Sequence, residues 1–367
     1  MPILQKSLLG WILAGEYKYS SNGNSIVVAN SATEEDKKLS ELVEKFWKCE
    51  TIESSCSKFT PEEQDCENFF LQTVQRTLSG HFVVRLPFKT PFIGVGESYS
   101  IALKRFESLE RKLGVANNAN LKIEYKKFID EYRELDHLEC VSHLTQSDLK
   151  YFMPHHAVLR PSSLSTKLRV VFDASCKSSN GRSLNDNLLV GPKVQPELFD
   201  ILVRFRQYKY ALSADISKMY RQILVNEEDC NWQCILWRSS EADLTAYRLL
   251  TVTYGTTAAL WLVMRCLKKL GEDNAEKFPL GSKKVFLDFY MDNFISGGNT
   301  EEVLIQMYIE VSKIMNSAHF TLRKWHFNSS NFLKQALEAD KEKPLLVNDA
   351  DIINTDMFSY VWPVVSK

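Results

Sequence analysis

Apolar residues recur with a helical period in six stretches of the chain. In the first stretch, apolar positions from Leu39 to Trp47 follow the spacing i, i+3, i+4, i+7 and i+8 after an acidic start at 34–36. This pattern predicts helices that each bury one face. One predicted helix begins at Thr33. The other five cover 98–113, 121–135, 196–205, 258–270 and 300–318.

Short apolar or β-branched runs between turn residues predict strands in the same chain. The run at 8–15 is too short to span a membrane and lacks a convincing signal-peptide start, so it is interpreted as a strand. Strands and helices are mixed along the chain, which predicts the α+β class. The other predicted strands lie at 80–88, 157–160, 167–172, 210–214 and 246–251.

Two carboxylates stand at positions that chemistry could use. The run Phe289-Tyr290-Met291-Asp292-Asn293-Phe294, flanked by apolar 285–287 and by 295–298, predicts two short strands joined by an acidic turn. Asp215 directly follows the apolar strand at 210–214. Carboxylates that converge from separate strands can hold Mg²⁺ ions for nucleotidyl transfer, although a lone Asp at a strand end is more often a turn or cap residue.

Composition places the chain among globular proteins. With 367 residues, 44% hydrophobic and 11% aromatic, it can form two or three subdomains, and collagen-like, mucin-like and disulfide-scaffold classes are excluded. The net charge of -1 argues against a uniformly basic nucleic-acid binder, yet 150–225 holds 12 Lys/Arg against 5 Asp/Glu. This segment is expected to meet a polyanion, unless it is an ordinary solvated surface.

Cysteine and histidine positions give no metal-site pattern. Eight cysteines are scattered without a Cys-x-x-Cys pair, which favours reduced thiols in an intracellular protein and disfavours zinc. No clear basic localisation run separates cytoplasm from nucleus. The adjacent His155 and His156 would point to opposite faces of a strand, so a structural role is expected.

Taken with their neighbours, the two carboxylates resemble the polymerase site of reverse transcriptases, specifically those of BEL/Pao long-terminal-repeat retrotransposons. The hairpin resembles the family's Tyr-x-Asp-Asp turn. Similar segments in the family's order lie at 151–158, 167–175, 183–186, 190–192, 214–222, 235–238, 251–256 and 322–325. The resemblance implies reverse-transcriptase-like fingers and palm, RNA-directed DNA polymerase activity with two Mg²⁺ or Mn²⁺ ions, and RNA/DNA primer-template and dNTPs as partners without a membrane.

The resemblance also implies a domain organisation for the chain. Residues 1–30 resemble the last strand of an aspartic protease and a linker, and 31–145 a mostly helical connector that includes Phe46-Trp47 and 82–88. Residues 146–332 resemble the fingers and palm, and 333–367 match no segment of the family. No Asp-Thr/Ser-Gly triplet occurs, so protease activity is excluded. A thumb, ribonuclease H and integrase are expected downstream in a full-length element.

Site residues carry over from the family by matched position. Asp215 and Asp292 are expected as metal ligands with the carbonyl of Ile216, Asn293 occupies the place of the second aspartate, and Lys324 is expected to protonate pyrophosphate unless it is a surface lysine.

Four further residues are expected to contact substrates. Tyr220 occupies the place of the steric gate that selects dNTPs, with a core tyrosine as the alternative. Arg169, with Lys167 as a weaker partner, would hold the triphosphate, unless both form a solvated strand face. Gly255 would let backbone approach the templating base pair.

The chain departs from the family at three points. Asn293 removes a negative charge from the metal site, and Leu260 stands where the family has proline. Asp288 is not expected to replace the lost ligand, because a strand would place it about 13 Å back. The third departure is the missing thumb. The alternatives left open are an active polymerase, a catalytically impaired but folded nucleic-acid-binding remnant, and a decayed transposon copy.

Overall fold

The computed structural model describes residues 3–7, 10–14, 59–141, 148–159, 168–238, 243–329 and 345–346. The chain divides into two compact units, residues 1–58 and 59–367. In the first unit, β1 (Ile3–Ser7) and β2 (Gly10–Ala14) form an antiparallel hairpin. The predicted strand at 8–15 is therefore found as β2. The helix predicted from Thr33, with Phe46-Trp47, lies outside the described residues.

The second unit is a mixture of helices and sheets, which confirms the α+β class. Its helices are α1 (Pro61–Thr73), α2 (Tyr99–Leu113), α3 (Ala119–Glu134), α4 (Leu198–Arg206), α5 (Glu227–Cys230), α6 (Ala259–Asn274), α7 (Pro279–Leu287) and α8 (Glu301–Asn316). Its strands are β3 (Gln75–Arg76), β4 (Phe82–Val84), β5 (Leu138–Cys140), β6 (His155–Leu159), β7 (Leu168–Phe172), β8 (Tyr210–Ile216), β9 (Leu224–Val225), β10 (Cys234–Arg238), β11 (Leu244–Leu249), β12 (Phe289–Tyr290), β13 (Asn293–Gly298), β14 (Leu322–Phe327) and β15 (Leu345–Leu346).

A five-stranded sheet of order β12-β13-β8-β14-β15 forms the centre of this unit. Strand β8 is paired antiparallel with β13 on one side and with β14 on the other. Helix α8 packs on one face, where Tyr308 meets Trp325 at 4.8 Å between ring centroids and Trp325 stacks on Phe327. Aromatic pairs of this kind contribute about 0.5–1.5 kcal/mol beyond their buried area. On the opposite face, Ile201 and Phe205 of α4 pack against Ala211 and Ile295. Asp215, at the carboxyl end of β8, is only partly buried.

The predicted connector shares a core with the segment after it. Strand β5 extends the sheet β10-β11-β5, and Tyr125 of α3 stacks on Trp237 of β10 at 5.4 Å. Phe106 of α2 meets the same tryptophan edge-on. Residues on both sides of the predicted boundary near 145 are therefore packed together. The boundaries at 30, 145 and 332 stay predictions.

Most predicted elements of the second unit are present within a few residues of their expected ends, but two differ. The apolar run 285–287 was predicted as a strand, but it forms the C-terminal end of helix α7. This helix begins at Pro279. A short apolar run has the same pattern in a strand and in a buried helix, so Pro279 and the helical context decide. The strand predicted at 80–88 shortens to β4.

Two further findings concern membranes and thiols. No helix among the described residues is long and apolar enough to cross a membrane. The six cysteines in the described ranges, at 66, 140, 176, 230, 234 and 266, are all free thiols. Cys49 and Cys56 lie outside those ranges.

Candidate active site

Three strands bring polar residues together at the carboxyl end of β8. Asn293 of β13 and Arg323 of β14 are both in register with Asp215. Directly opposed residues of an antiparallel pair project to the same face of a sheet. Asp215 is therefore flanked on one sheet face by an amide and a guanidinium. Its carboxylate is partly exposed on this face.

A two-residue turn carries the second carboxylate. Tyr290 pairs with Asn293, so Met291 and Asp292 form the loop of the predicted hairpin. Met291 has φ 53, a positive φ at the first central residue that is typical of a type II′ turn. The turn is attached to β8 because the Ile216 amide donates to the Asp292 carbonyl at 2.7 Å. The Met291 amide donates to Gln195 Oε1 at 3.2 Å.

The Asp292 carboxyl group lies within electrostatic range of Asp215. Burial, and then the negative charge of Asp215, raise the pKa of Asp292. The Asn293 side chain donates from Nδ2 to Asp292 Oδ1 at 3.0 Å. An ionised carboxylate only accepts hydrogen bonds, so the amide must present its nitrogen to it. The Asn293 amide thus acts as a donor toward the Asp292 carboxylate.

Lys324 reaches the site from an irregular part of β14. The pairing between β14 and β8 shifts register between Arg323 and His326, which is a β-bulge, and Lys324 has φ 53 there. Its Nζ lies 3.0 Å from Asp215 Oδ2. The predicted site residue Lys324 is therefore brought to Asp215, with half of its side chain exposed.

Tyr220 lies on a 3₁₀ turn, Met219–Gln222, that follows β8. Burial, and then the charge of Asp292, raise the pKa of the Tyr220 hydroxyl, so the ring lies within electrostatic range of the turn carboxylate. Its ring is 6.1 Å from that of Tyr254. The predicted gate residue and both predicted aspartates therefore occupy one region.

The 3₁₀ turn is held by a residue that the sequence did not indicate. Glu131 of α3 makes ion pairs with Lys218 and with Arg221, the latter at 2.8 Å. Arg221 is buried, donates to His137 at 2.9 Å and lies over the Tyr132 ring at 4.0 Å. Glu131 thus connects the predicted connector to the residues that flank Tyr220. Nothing in its sequence neighbourhood signals this role.

Arg169 lies on β7 with an exposed side chain. Its charge lowers the pKa of the Asp292 carboxyl against the larger effect of burial, so it is in range of the site. Among the described residues it has no hydrogen-bond or ion-pair partner. The proposed weaker partner Lys167 lies outside the described residues.

Gly255 has a structural reason to be glycine. Its φ is 109, and a Cβ at this position would lie 2.1 Å from the carbonyl oxygen of Phe172. The Asn185 side chain donates to the Gly255 carbonyl at 2.9 Å and accepts from the Thr257 amide at 2.8 Å. Asn185, which lies in the segment 183–186, thus holds the loop at Gly255, and this glycine is exposed. The contact with a templating base pair stays a prediction.

The structure bears on two further predictions, one for the pair His155 and His156 and one for Asp288. His155 is buried, between Tyr125 Oη at 2.5 Å and the Leu236 carbonyl at 2.9 Å, while His156 is exposed, as expected for a structural pair. The placement of Asp288 on a strand was wrong, because it caps the C-terminus of α7. It is 2% exposed and bound by Lys284, Arg204 and Ser296.

The candidate site offers two carboxylates, those of Asp215 and Asp292, to a divalent cation. No group of three or more His, Cys, Asp or Glu side chains that could hold a metal ion occurs in the described ranges. Asp215 and Asp292 nevertheless supply hard oxygen donors, and a cation would relieve the repulsion by Asp215 that, after burial, raises the pKa of Asp292. The two residues fit a divalent cation, with fewer anionic ligands than a three-carboxylate site.

Comparisons with known proteins find similarity in structure but not in sequence. No protein-family model and no curated protein sequence matches the chain. The structure is similar to the crystal structure of native prototype foamy virus protease-reverse transcriptase, with a TM-score of 0.39 and 16% sequence identity. The match covers 54% of this chain and 23% of that one. A similarity of this size does not assign the chain to a family.

Proposed function

We propose that this chain carries a reverse-transcriptase-like nucleotidyl-transfer site, of the kind found in BEL/Pao retrotransposons, whose chemistry is impaired by Asn293. The observation that carries the proposal is that the fold brings Asp215 and Asp292 together at one end of the sheet. They lie on adjacent elements, joined by the hydrogen bond from the Ile216 amide to the Asp292 carbonyl at 2.7 Å. Two carboxylates with one raised pKa at a sheet end favour a cation site over an ordinary turn.

The surroundings of the carboxylates suit a nucleotide and a primer. Arg169 is an exposed guanidinium without an internal partner among the described residues, and a planar guanidinium binds phosphate oxygens in pairs. Tyr220 lies near Asp292, where an aromatic ring would contact the sugar of a nucleotide bound by that carboxylate. These positions support a dNTP as the substrate and a primer 3′-hydroxyl as the acceptor.

In this proposal each residue has a limited task. Asp215 and Asp292 would hold Mg²⁺ or Mn²⁺, and a bound divalent cation supplies positive charge to the hydroxyl and the triphosphate. Arg169 orients the triphosphate, and Tyr220 excludes a 2′-hydroxyl. Lys324, whose Nζ is 3.0 Å from Asp215, lies where it could donate a proton to the departing pyrophosphate.

Asn293 weakens this arrangement in two ways. Its amide offers a neutral oxygen where a carboxylate would add a negative charge beside a divalent cation. Its nitrogen also donates a hydrogen bond to Asp292 Oδ1 at 3.0 Å. This oxygen must lose that hydrogen bond before it binds a cation. Impaired catalysis in an intact fold follows from both effects.

Primer extension tests the proposal directly. The full chain would be assayed with oligo(dT) on poly(rA), dTTP and either Mg²⁺ or Mn²⁺, beside Asn293→Asp and the dead control Asn293→Asp/Asp215→Asn. Asn293→Asp should extend the primer measurably faster than the native chain, and the control should not extend it. A folded Asn293→Asp variant that binds primer-template but extends no better than the control contradicts the proposal.

Exposed cations favour a second candidate function, binding of nucleic acid without chemistry. Arg169 and Arg182 are exposed and have no ion-pair partner within the described ranges. Phosphate contacts of this kind weaken steeply as salt rises from about 50 to 200 mM. Salt-sensitive primer-template binding by the native chain, with no extension even by Asn293→Asp, would favour this candidate.

A further inference from the structure

Each carboxylate of the candidate site has a partner from within the chain. Lys324 Nζ lies 3.0 Å from Asp215 Oδ2, and Asn293 Nδ2 lies 3.0 Å from Asp292 Oδ1. The ammonium is the stronger of the two, since it brings a full positive charge to a carboxylate. In the region that would receive a divalent cation, Asp215 is therefore already paired with a cation.

The backbone places Lys324 at Asp215 by an irregularity in β14. Arg323 is in register with Asp215, so in a regular strand the next residue would point to the opposite face of the sheet. The bulge after Arg323 and the φ of 53 at Lys324 remove this alternation. A left-handed conformation is unfavourable for lysine, and the contact with Asp215 is the interaction found at the end of its side chain.

The ion pair between Lys324 and Asp215 is exposed enough for another cation to displace the lysine. The side chain of Lys324 is 52% exposed and that of Asp215 is 28% exposed. Water screens a pair with this exposure, so the pair contributes little to stability. A divalent cation carries twice the charge of the ammonium and can coordinate both carboxylates, so it can compete with Lys324 for Asp215.

We propose that Lys324 is an internal counter-cation of Asp215, which a divalent cation must displace in order to bind. This inference rests on the proposed function, because the cation in question is that of the nucleotidyl-transfer site. This role precedes the reaction and is separate from any proton transfer, since Lys324 acts as a positioning residue that neutralises Asp215 until a divalent cation binds.

Binding of Mn²⁺ alone, without nucleotide, tests the inference by electron paramagnetic resonance on the full chain. Lys324→Met removes the competing charge and should tighten Mn²⁺ binding about fivefold, the factor expected for loss of a competing surface ion pair. Lys324→Arg keeps the charge and should bind Mn²⁺ no tighter than the native chain. Unchanged or weaker binding by a folded Lys324→Met overturns the inference.

A matched control separates direct competition from a general change in charge. Arg169→Met removes the same charge near Asp292, and Arg169 has no ion pair with Asp215. Its effect on Mn²⁺ affinity should be clearly smaller than that of Lys324→Met. Equal effects of the two variants would mean that Lys324 acts only through the overall field, which also overturns the inference.

Chemical labelling detects the displacement itself. Acetylation of Lys324, measured by mass spectrometry, should be slow without metal and several-fold faster with Mg²⁺, whereas in Asp215→Asn it should be fast in both conditions. A Lys324 labelling rate that ignores Mg²⁺ in the native chain contradicts the inference. Mg²⁺-dependent labelling in a chain whose Asn293→Asp variant extends no primer would retain the inference while the proposed polymerase function fails.

Discussion

Asn293 of β13 lies directly opposite Asp215 of β8, so that an amide faces a carboxylate across the strand pair. Like charges in directly opposed positions destabilise a sheet, whereas an amide there does not. An amide at position 293 therefore avoids the repulsion across the strand pair that a carboxylate there would create. This relationship makes a prediction about stability that is independent of catalysis.

Asn293→Asp is expected to lower the free energy of unfolding by about 0.5–1 kcal/mol at neutral pH in the presence of a chelator. Two opposed carboxylates near Asp292 would then repel each other without a cation between them. In excess Mg²⁺ the difference from the native chain should shrink or reverse, because a ligand that binds the folded state stabilises it. Urea unfolding in both buffers measures the effect, and equal stability in chelator would contradict it.

Gly255→Ala should be strongly destabilising, by more than about 3 kcal/mol or with loss of folding. A Cβ at Gly255 would lie 2.1 Å from the Phe172 carbonyl oxygen, and backbone cannot move aside as a side chain can. Gly94→Ala is a matched control, because Gly94 has a φ of 88 but open space around its Cβ position. Gly94→Ala should lower the free energy of unfolding by roughly 1 kcal/mol, which is the strain of placing alanine at a positive φ. Similar losses in urea unfolding would show that the close approach at Phe172 is absent.

Asp288→Asn should cost about 3–5 kcal/mol, because it leaves the cations of Lys284 and Arg204 without their shared anion in a buried place. The control is Glu124→Gln, which breaks the exposed ion pair with Lys127 and should cost about 0.5 kcal/mol or less. Thermal or urea unfolding compares the two. A small loss in Asp288→Asn would mean that this buried cluster does not support the hairpin.

His155 should make the stability of the fold depend on pH. Burial lowers the pKa of His155 to about 4 in the folded chain, against roughly 6.5 when unfolded. Its contribution is fully present above the unfolded value and is lost as pH falls toward the folded value, because the unfolded chain then binds more protons. The size of this loss is roughly 3 kcal/mol between about pH 7 and pH 4.

The exposed neighbour provides the comparison for this pH effect. In His155→Gln the loss of unfolding free energy between pH 7 and pH 5 should be smaller than in the native chain, whatever the absolute stability of the variant. His156→Gln should keep the native pH dependence, since His156 is exposed. Identical pH slopes in the native chain and His155→Gln would contradict the assignment.

Local patterns predicted the parts of the site that regular elements carry. Asp215 follows an apolar run that forms β8, and Asp292 lies in a turn between runs that alternate as a hairpin does, so both were found from the sequence. The resemblance supplied Tyr220, Arg169 and Lys324 by position. In the structure Lys324 contacts Asp215, and Tyr220 and Arg169 lie within electrostatic range of Asp292.

Long-range and irregular features could not be found in the same way. The contact of Lys324 with Asp215 depends on a bulge and a positive φ, which a strand pattern does not encode. Glu131 reaches the turn of Tyr220 from a helix about ninety residues away, a relationship that only tertiary packing creates. The run 285–287 was assigned to a strand because three consecutive apolar residues have no period that separates strand from helix.

The hydrogen bond from the Ile216 amide to the Asp292 carbonyl has a consequence for motion. Strand β8 is paired on both sides, whereas β12 is a two-residue strand at the edge of the sheet. Amide hydrogen exchange should therefore be slow along β8 and faster at the hairpin tip. When the tip opens, the Ile216 bond breaks and the two carboxylates separate. The separation of Asp215 and Asp292 would then change with the two hydrogen bonds that attach the tip, from the Ile216 amide to the Asp292 carbonyl and from the Met291 amide to Gln195.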